Sequence, residues 1–196
     1  MLSWLFALVF GLSGLAGTIR VQPGKSINDY QLGSDIRRLQ ERLGPTRPEL
    51  ITADGELPVQ LYVWRSLRPV TELFVYTRGS EVVQLEIFAQ DAALPTGIGR
   101  RSTLRRIMSQ KGLVCYEEMH TASTSTGDRD VLYAVDREEG VAFRLQFHPQ
   151  SQKPYLTQII VFPRSGELIT RFPLIPCQFS DAGLWNPAWG TPSRSR

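Results

Sequence analysis

One stretch limits the possible folds more than any other: Leu32-Gly33-Ser34-Asp35-Ile36-Arg37-Arg38-Leu39-Gln40-Glu41-Arg42-Leu43-Gly44-Pro45. Ser34 can cap a helix by accepting a bond from an otherwise unpaired backbone N–H, and Asp35 sets negative charge at the positive end of the helix dipole. Ile36, Leu39 and Leu43 line one stripe, with Arg37, Arg38, Glu41 and Arg42 on the wet side. Gly44 supplies the left-handed residue that ends the helix, and Pro45 prevents its continuation. A helix of about 10 residues does not persist alone in water, so it must be held against something else.

Three strand-like runs follow it: Leu61 to Trp64, Thr71 to Tyr76, and Glu81 to Phe88. In the last, Val83, Leu85 and Ile87 alternate with Gln84 and Glu86, the pattern of a strand with one buried and one open face. The order then recurs. Ser34, Arg37, Arg38 and Gly44 map at one fixed spacing onto Ser102, Arg105, Arg106 and Gly112, and new runs appear at Val131 to Val135, Val141 to Phe147 and Leu156 to Phe162. The expected fold class is therefore α+β: two tandem helix-plus-three-strand repeats, with helices packed on one face of an antiparallel sheet. The first repeat spans residues 20–92, the second 93–165, and residues 166–196 form a C-terminal extension.

Leu32-Gly33-Ser34, Leu43-Gly44-Pro45 and Val83-Gln84-Leu85-Glu86-Ile87, with the weaker copy at Ile98-Gly99, Gly112 and Thr157 to Val161, resemble the repeat of SmpA/OmlA-type outer-membrane assembly lipoproteins and of secreted β-lactamase-inhibitor proteins. The resemblance spans roughly residues 27 to 162. It implies an exported, non-enzymatic protein whose free sheet face or loops bind another protein. The chain departs from the pattern in two ways. No lipid-attachment Cys is present near residue 17, and neither Thr46 to Gln60 nor Leu113 to Asp130 shows the periodicity of a second helix. No functional residue is carried over from these families.

Residues 1–19 hold no charged side chain and run through Leu2, Trp4, Leu5, Phe6, Leu8, Val9, Phe10 and Leu12. This is the apolar core of an export signal, with small residues placed for cleavage after Ala16 or Gly17. An uncleaved anchor fits the same length, and would give peripheral or anchored membrane association. Either way the expected location is extracytoplasmic: periplasmic, secreted or membrane-anchored. Cys115 and Cys177 are the only cysteines. In an exported chain they form one disulfide or remain two buried thiols. The net charge of +3 falls short of the concentrated basic stripe that nucleic acid needs, so no nucleic-acid partner is expected.

A search for chemistry returns little. Nucleophilic hydrolysis needs a base beside a Ser or Cys, and His120 and His148 are the only imidazoles. No Gly-x-Ser-x-Gly elbow and no Gly-rich phosphate loop occurs. Two Cys and two His, scattered from 115 to 177, do not make a zinc site, and Asp128 and Asp130 lack the ligand series of a calcium loop. No catalytic residue, metal or cofactor is therefore assigned. Arg100, Arg101, Arg105 and Arg106 form the densest charge cluster, read as a solvated face because it opposes the helix dipole and has no interleaved aromatics.

The remaining candidates are binding residues. Tyr62 and Trp64 share one side of their strand, and Phe74 and Tyr76 one side of theirs. If the face opposite Val83, Leu85 and Ile87 is open, these rings make a patch of the composition that protein interfaces favour; otherwise they are core. Arg144 joins them as a binding candidate. The C-terminal tail, with Trp185 and Trp189 among Gly and Pro, is read as docking its tryptophans on the domain. The functional expectation is a non-catalytic extracytoplasmic protein-binding or envelope-assembly module. The alternatives are a secreted enzyme with a site around Glu86, Arg144 and His148, or a purely structural envelope protein.

Overall fold

A computed structural model of the chain describes residues 19–52, 58–67, 70–90, 92–94, 96–99, 102–118, 131–147 and 154–177. The apolar stretch before Ile19, both histidines, Asp128, Asp130, Arg100, Arg101 and the Trp185/Trp189 tail lie outside the described residues.

Among the described residues, nine strands form one antiparallel sheet. In chain order they are β4 (Glu49–Thr52), β5 (Val59–Arg65), β6 (Glu72–Arg78), β7 (Glu81–Phe88), β9 (Val114–Glu118), β10 (Val131–Asp136), β11 (Val141–Phe147), β12 (Pro154–Val161) and β13 (Leu174–Pro176). Their spatial order is β13-β9-β10-β11-β12-β7-β6-β5-β4, so the two halves of the chain meet where β12 pairs with β7. A second sheet, β3-β2-β1-β8, is built from β1 (Ile19–Gln22), β2 (Ser26–Ile27), β3 (Tyr30–Gln31) and β8 (Ala92–Ala93). The helices are α1 (Ile36–Leu43) and α2 (Leu104–Met108).

This corrects the α+β expectation of tandem helix-plus-three-strand repeats: the fold is mostly β, with 51% of the described residues in strands against 10% in helices. The reason is size. At about 1.5 Å per residue, α1 and α2 reach only about 12 and 8 Å, whereas nine strands about 4.8 Å apart spread over nearly 40 Å. Two such helices cannot cover the face. The small sheet supplies the missing layer: Ile19, Val21, Ile27 and Tyr30 are buried in the same core as Leu85, Ile87, Phe143, Leu145, Ile159 and Val161. Residues 21–26 thus belong to this layer. Strands of two to four residues carry no periodic signal, which is why the layer is not legible in the sequence.

Helix α1 begins one residue later than Ser34 would imply. Asp35 is its cap, accepting the N–H of Arg37 at 2.8 Å, while the Ser34 hydroxyl donates back to the carbonyl of Gln31. Thr103 likewise replaces Ser102 as the cap of α2, accepting from the N–H of Arg106. Ile36 and Leu39 are buried and Leu43 packs against the same core. The start of α1 is sewn to the β6–β7 hairpin: Ile36 N–H donates to Ser80, Gly33 N–H to Val82, and Val82 N–H to Ser34.

The alternation read through Val83 also fails. Tyr76 pairs with Gln84 but Thr77 with Val82, so Val83 is an extra, unpaired residue: a β-bulge. Leu85 and Ile87 face the small sheet and helices. Val83 is turned to the other side, against the cluster of Val59, Leu61 and Tyr76.

Candidate functional site

Opposite the small sheet, the large sheet is crossed by a strap, residues 163–173. Leu168 packs against Val131, Tyr133, Val135, Ile160 and Phe162, and Ile169 against Val59, Leu61 and Tyr76. Salt bridges Arg78–Glu167 and Arg171–Glu49 pin it at the surface. Its centre is held by one side chain: the Gln84 amide accepts the N–H of Ile169 at 2.8 Å and donates to the carbonyl of Ile169 at 2.9 Å. The side of β7 read as open is therefore covered, with Gln84 fully buried and Glu86 only 6% exposed.

Beneath and beside the strap lies a polar cluster drawn from six strands, β6, β7 and β9 to β12. Glu86 accepts the Gln84 amide at 2.8 Å and the Tyr76 hydroxyl. Arg144, partly exposed, donates to Gln158 at 3.0 Å and comes within 4.0 Å of the buried Glu118 carboxylate. Tyr133, opposite Arg144 in the register, hydrogen-bonds to it. A second register shift, between Arg144 and Leu145, leaves Thr157 as the extra residue on β12, its hydroxyl bonded to the Arg144 carbonyl. Bulges thus flank the cluster on both sides and set which side chains turn towards it.

Burial dominates the electrostatics. It lifts the Glu86 carboxyl to about 6, although bonds from Tyr76 and Gln84 and the charges of Arg144 and Arg171 pull the other way. Burial and the neighbouring Glu86 push the Tyr76 phenol well above its ordinary value, and burial does the same for Tyr133, partly offset by Arg144. Among the described residues the buried Arg144 Nε has no hydrogen-bond partner. A carboxyl of this character can exchange a proton near neutral pH. Its two listeners, Tyr76 and Gln84, are however both structural, and they orient it inward. Among the described residues no group of His, Cys, Asp and Glu is placed to hold a metal.

The structure scatters the four aromatic binding candidates over two faces. Tyr62 and Trp64 are core, 7% and 5% exposed, stacked with ring centroids 6.0 Å apart, and the Trp64 indole N–H donates to the Gly44 carbonyl that ends α1. Phe74 and Tyr76 lie on the strap side, Phe74 edge-on to Phe88 and Tyr76 on Glu86. They make no single open patch. The physical reason is that both faces of the sheet are covered. Of the candidates, Tyr76 and Arg144 do belong to one cluster, and Glu86 converges with them. Gln84, Glu118, Tyr133 and Gln158 were missed, because polar residues alternating with apolar ones read as a wet face until something is known to cover it.

Cys115 and Cys177 form a disulfide that ties the end of β13 to β9. The bond is compatible with an oxidising, extracytoplasmic setting. Among the described residues no helix is long and apolar enough to cross a membrane.

No family model matches the sequence, and no curated protein does so. Among solved structures, a cysteine-rich secretory protein of Staphylococcus aureus is similar at a TM-score of 0.40 and 12% identity, over 74% of this chain and 50% of that one. The chain thus spans half the length of that protein.

Proposed function

We propose that the protein is an extracytoplasmic, non-catalytic module that binds a protein partner or helps assemble an envelope structure. The observation that carries this reading is the outer edge of β4. It ends the large sheet, no described strand pairs with it, and it carries Leu50, 58% exposed. An unpaired strand edge with an apolar side chain accepts an extended segment of another chain, the backbone giving affinity and the side chain register. The apolar residues 1–19 and the disulfide support export. The polar groups of the strap-side cluster are largely spent on one another, which favours binding at an edge over chemistry at the centre.

Two measurements test this. The chain with residues 1–19 intact is expected in an extracytoplasmic fraction with both cysteines protected from alkylation; a cytosolic, fully alkylated chain would sink the location. Cross-linking from wild type and from Leu50→Asp, at equal thermal stability, should give partner adducts only from the former. Equal adducts from both would remove β4 from the proposal.

A second reading has one observation in its favour: Glu86, with a carboxyl near 6, lies in the field of Arg144. A secreted enzyme using Glu86 as its acid would lose all turnover in Glu86→Gln, whereas a binding module keeps its partner adducts in that variant.

A further inference from the structure

We propose that β13 is a latched cap over the β9 edge, and that two-electron reduction of the Cys115–Cys177 disulfide uncovers this edge while the rest of the sheet stays folded. The inference is independent of where the protein resides and of the β4 edge.

Among the described residues, a short ladder and the packing of Leu174 and Cys177 are what else joins the cap to the sheet. β13 is three residues long; Leu174 packs against the strap-side core, while Ile175 and Pro176 are exposed. Its register on β9 pairs Leu174 with Glu118, Ile175 with Glu117 and Pro176 with Tyr116, and the N–H of Cys177 donates to the Cys115 carbonyl at 3.0 Å. Hydrogen-bonded and non-bonded pairs alternate along an antiparallel ladder, so Ile175/Glu117 is a bonded pair and Pro176/Tyr116 is not. The ring nitrogen of Pro176 therefore falls on the outer edge, where a missing N–H blunts further strand addition. β9 itself, Val114-Cys115-Tyr116-Glu117-Glu118, has no proline. With β13 gone, the backbone groups of Cys115 and Glu117 would face outward on an unblunted edge.

Release would also stop at a defined point. Five residues before β13 begins, Ile169 is fixed by both amide bonds of Gln84, and Leu168 is buried, neither depending on the sulfur bridge. The strap therefore stays in place when the latch opens. In the chemistry, one thiolate of a dithiol reductant attacks one sulfur of the bridge. The S–S bond breaks, the other cysteine leaves as a thiolate, and a mixed disulfide forms. The reductant's second thiolate then closes its own disulfide and frees the remaining cysteine. Two electrons pass to the protein, and the two protons of the dithiol end on Cys115 and Cys177.

Amide hydrogen exchange on the full chain, oxidised and in excess dithiothreitol, tests the proposal. Reduction should speed exchange at Glu117 by about tenfold or more, while Ile169 and the amides of β10 to β12 keep their protection. Cys177→Ser, without reductant, should behave like the reduced chain. Unchanged protection at Glu117 in both would mean that β13 needs no latch. Loss of protection throughout the sheet would mean that the disulfide is a global staple. Either result overturns the proposal.

Discussion

Glu86 shows how one residue's environment becomes a property of the whole protein. Burial raises its carboxyl from an ordinary 4.5 to about 6, so the folded state holds the proton more tightly than the unfolded chain. This contribution is fully present below pH 4.5 and is lost as pH rises through 6, about 2 kcal/mol in all. Glu86→Gln, isosteric and uncharged, should therefore raise stability at pH 7 and flatten the pH dependence between 4.5 and 6, as read by denaturant unfolding across that range. An unchanged slope would show that Glu86 is not the buried acid. Asp35 acts oppositely and at lower pH: its bond with Arg37 lowers its carboxyl to about 2, so its contribution disappears as the solution is acidified below the ordinary carboxylate range. Gly140 makes a steric case. It has φ +71°, its carbonyl accepts the N–H of both Gly24 and Phe162, and an added Cβ would overlap the Phe162 carbonyl and come 2.8 Å from the Gly24 Cα. Gly140→Ala should cost about 2–4 kcal/mol in thermal or denaturant unfolding; a loss below about 0.5 kcal/mol would mean that the contact relaxes freely.

At the level of elements, the strap makes the strap-side face an interior. Gln84 satisfies both backbone groups of Ile169 and one oxygen of Glu86. Gln84→Ala strands two buried backbone groups and leaves a void, a cost of about 2–4 kcal/mol. It should also raise exchange at Ile169 well above that of β10 to β12. If Ile169 remained as protected as those strands, the amide clamp would not be what holds the strap. The elements also show what was readable. All six strand-like runs overlap strands of the large sheet, since short apolar runs rich in β-branched and aromatic residues mark strands whichever faces are covered. β4, β9 and β13 were not found: they lie at the sheet's ends, where few neighbours impose a pattern.

Across the whole molecule, one hydrophobic core runs from Trp64 and Leu73 through Leu85 and Ile159 to Leu132 and Cys115, crossing the β7–β12 seam between the two halves of the chain. β1 adds to this unity by pairing in parallel with β8, some seventy residues on. A chain of residues 19–94 would lack the core residues of α2 and β9 to β12, and should show no cooperative unfolding transition by circular dichroism. A sharp transition in it would mean that the first half folds alone. The sequence by itself determined where the main strands run, that Gly44 ends the first helix, and which two cysteines were available to pair, because these depend on local sterics, local periodicity and composition. Tertiary structure alone decided that both sheet faces are covered, that Tyr62 and Trp64 are core, that Val83 is turned over by a bulge, and that Glu86 and Arg144 share one cluster. Those outcomes depend on which distant segment lies over a face, and a strand's alternation is the same whether its polar side meets water or a strap.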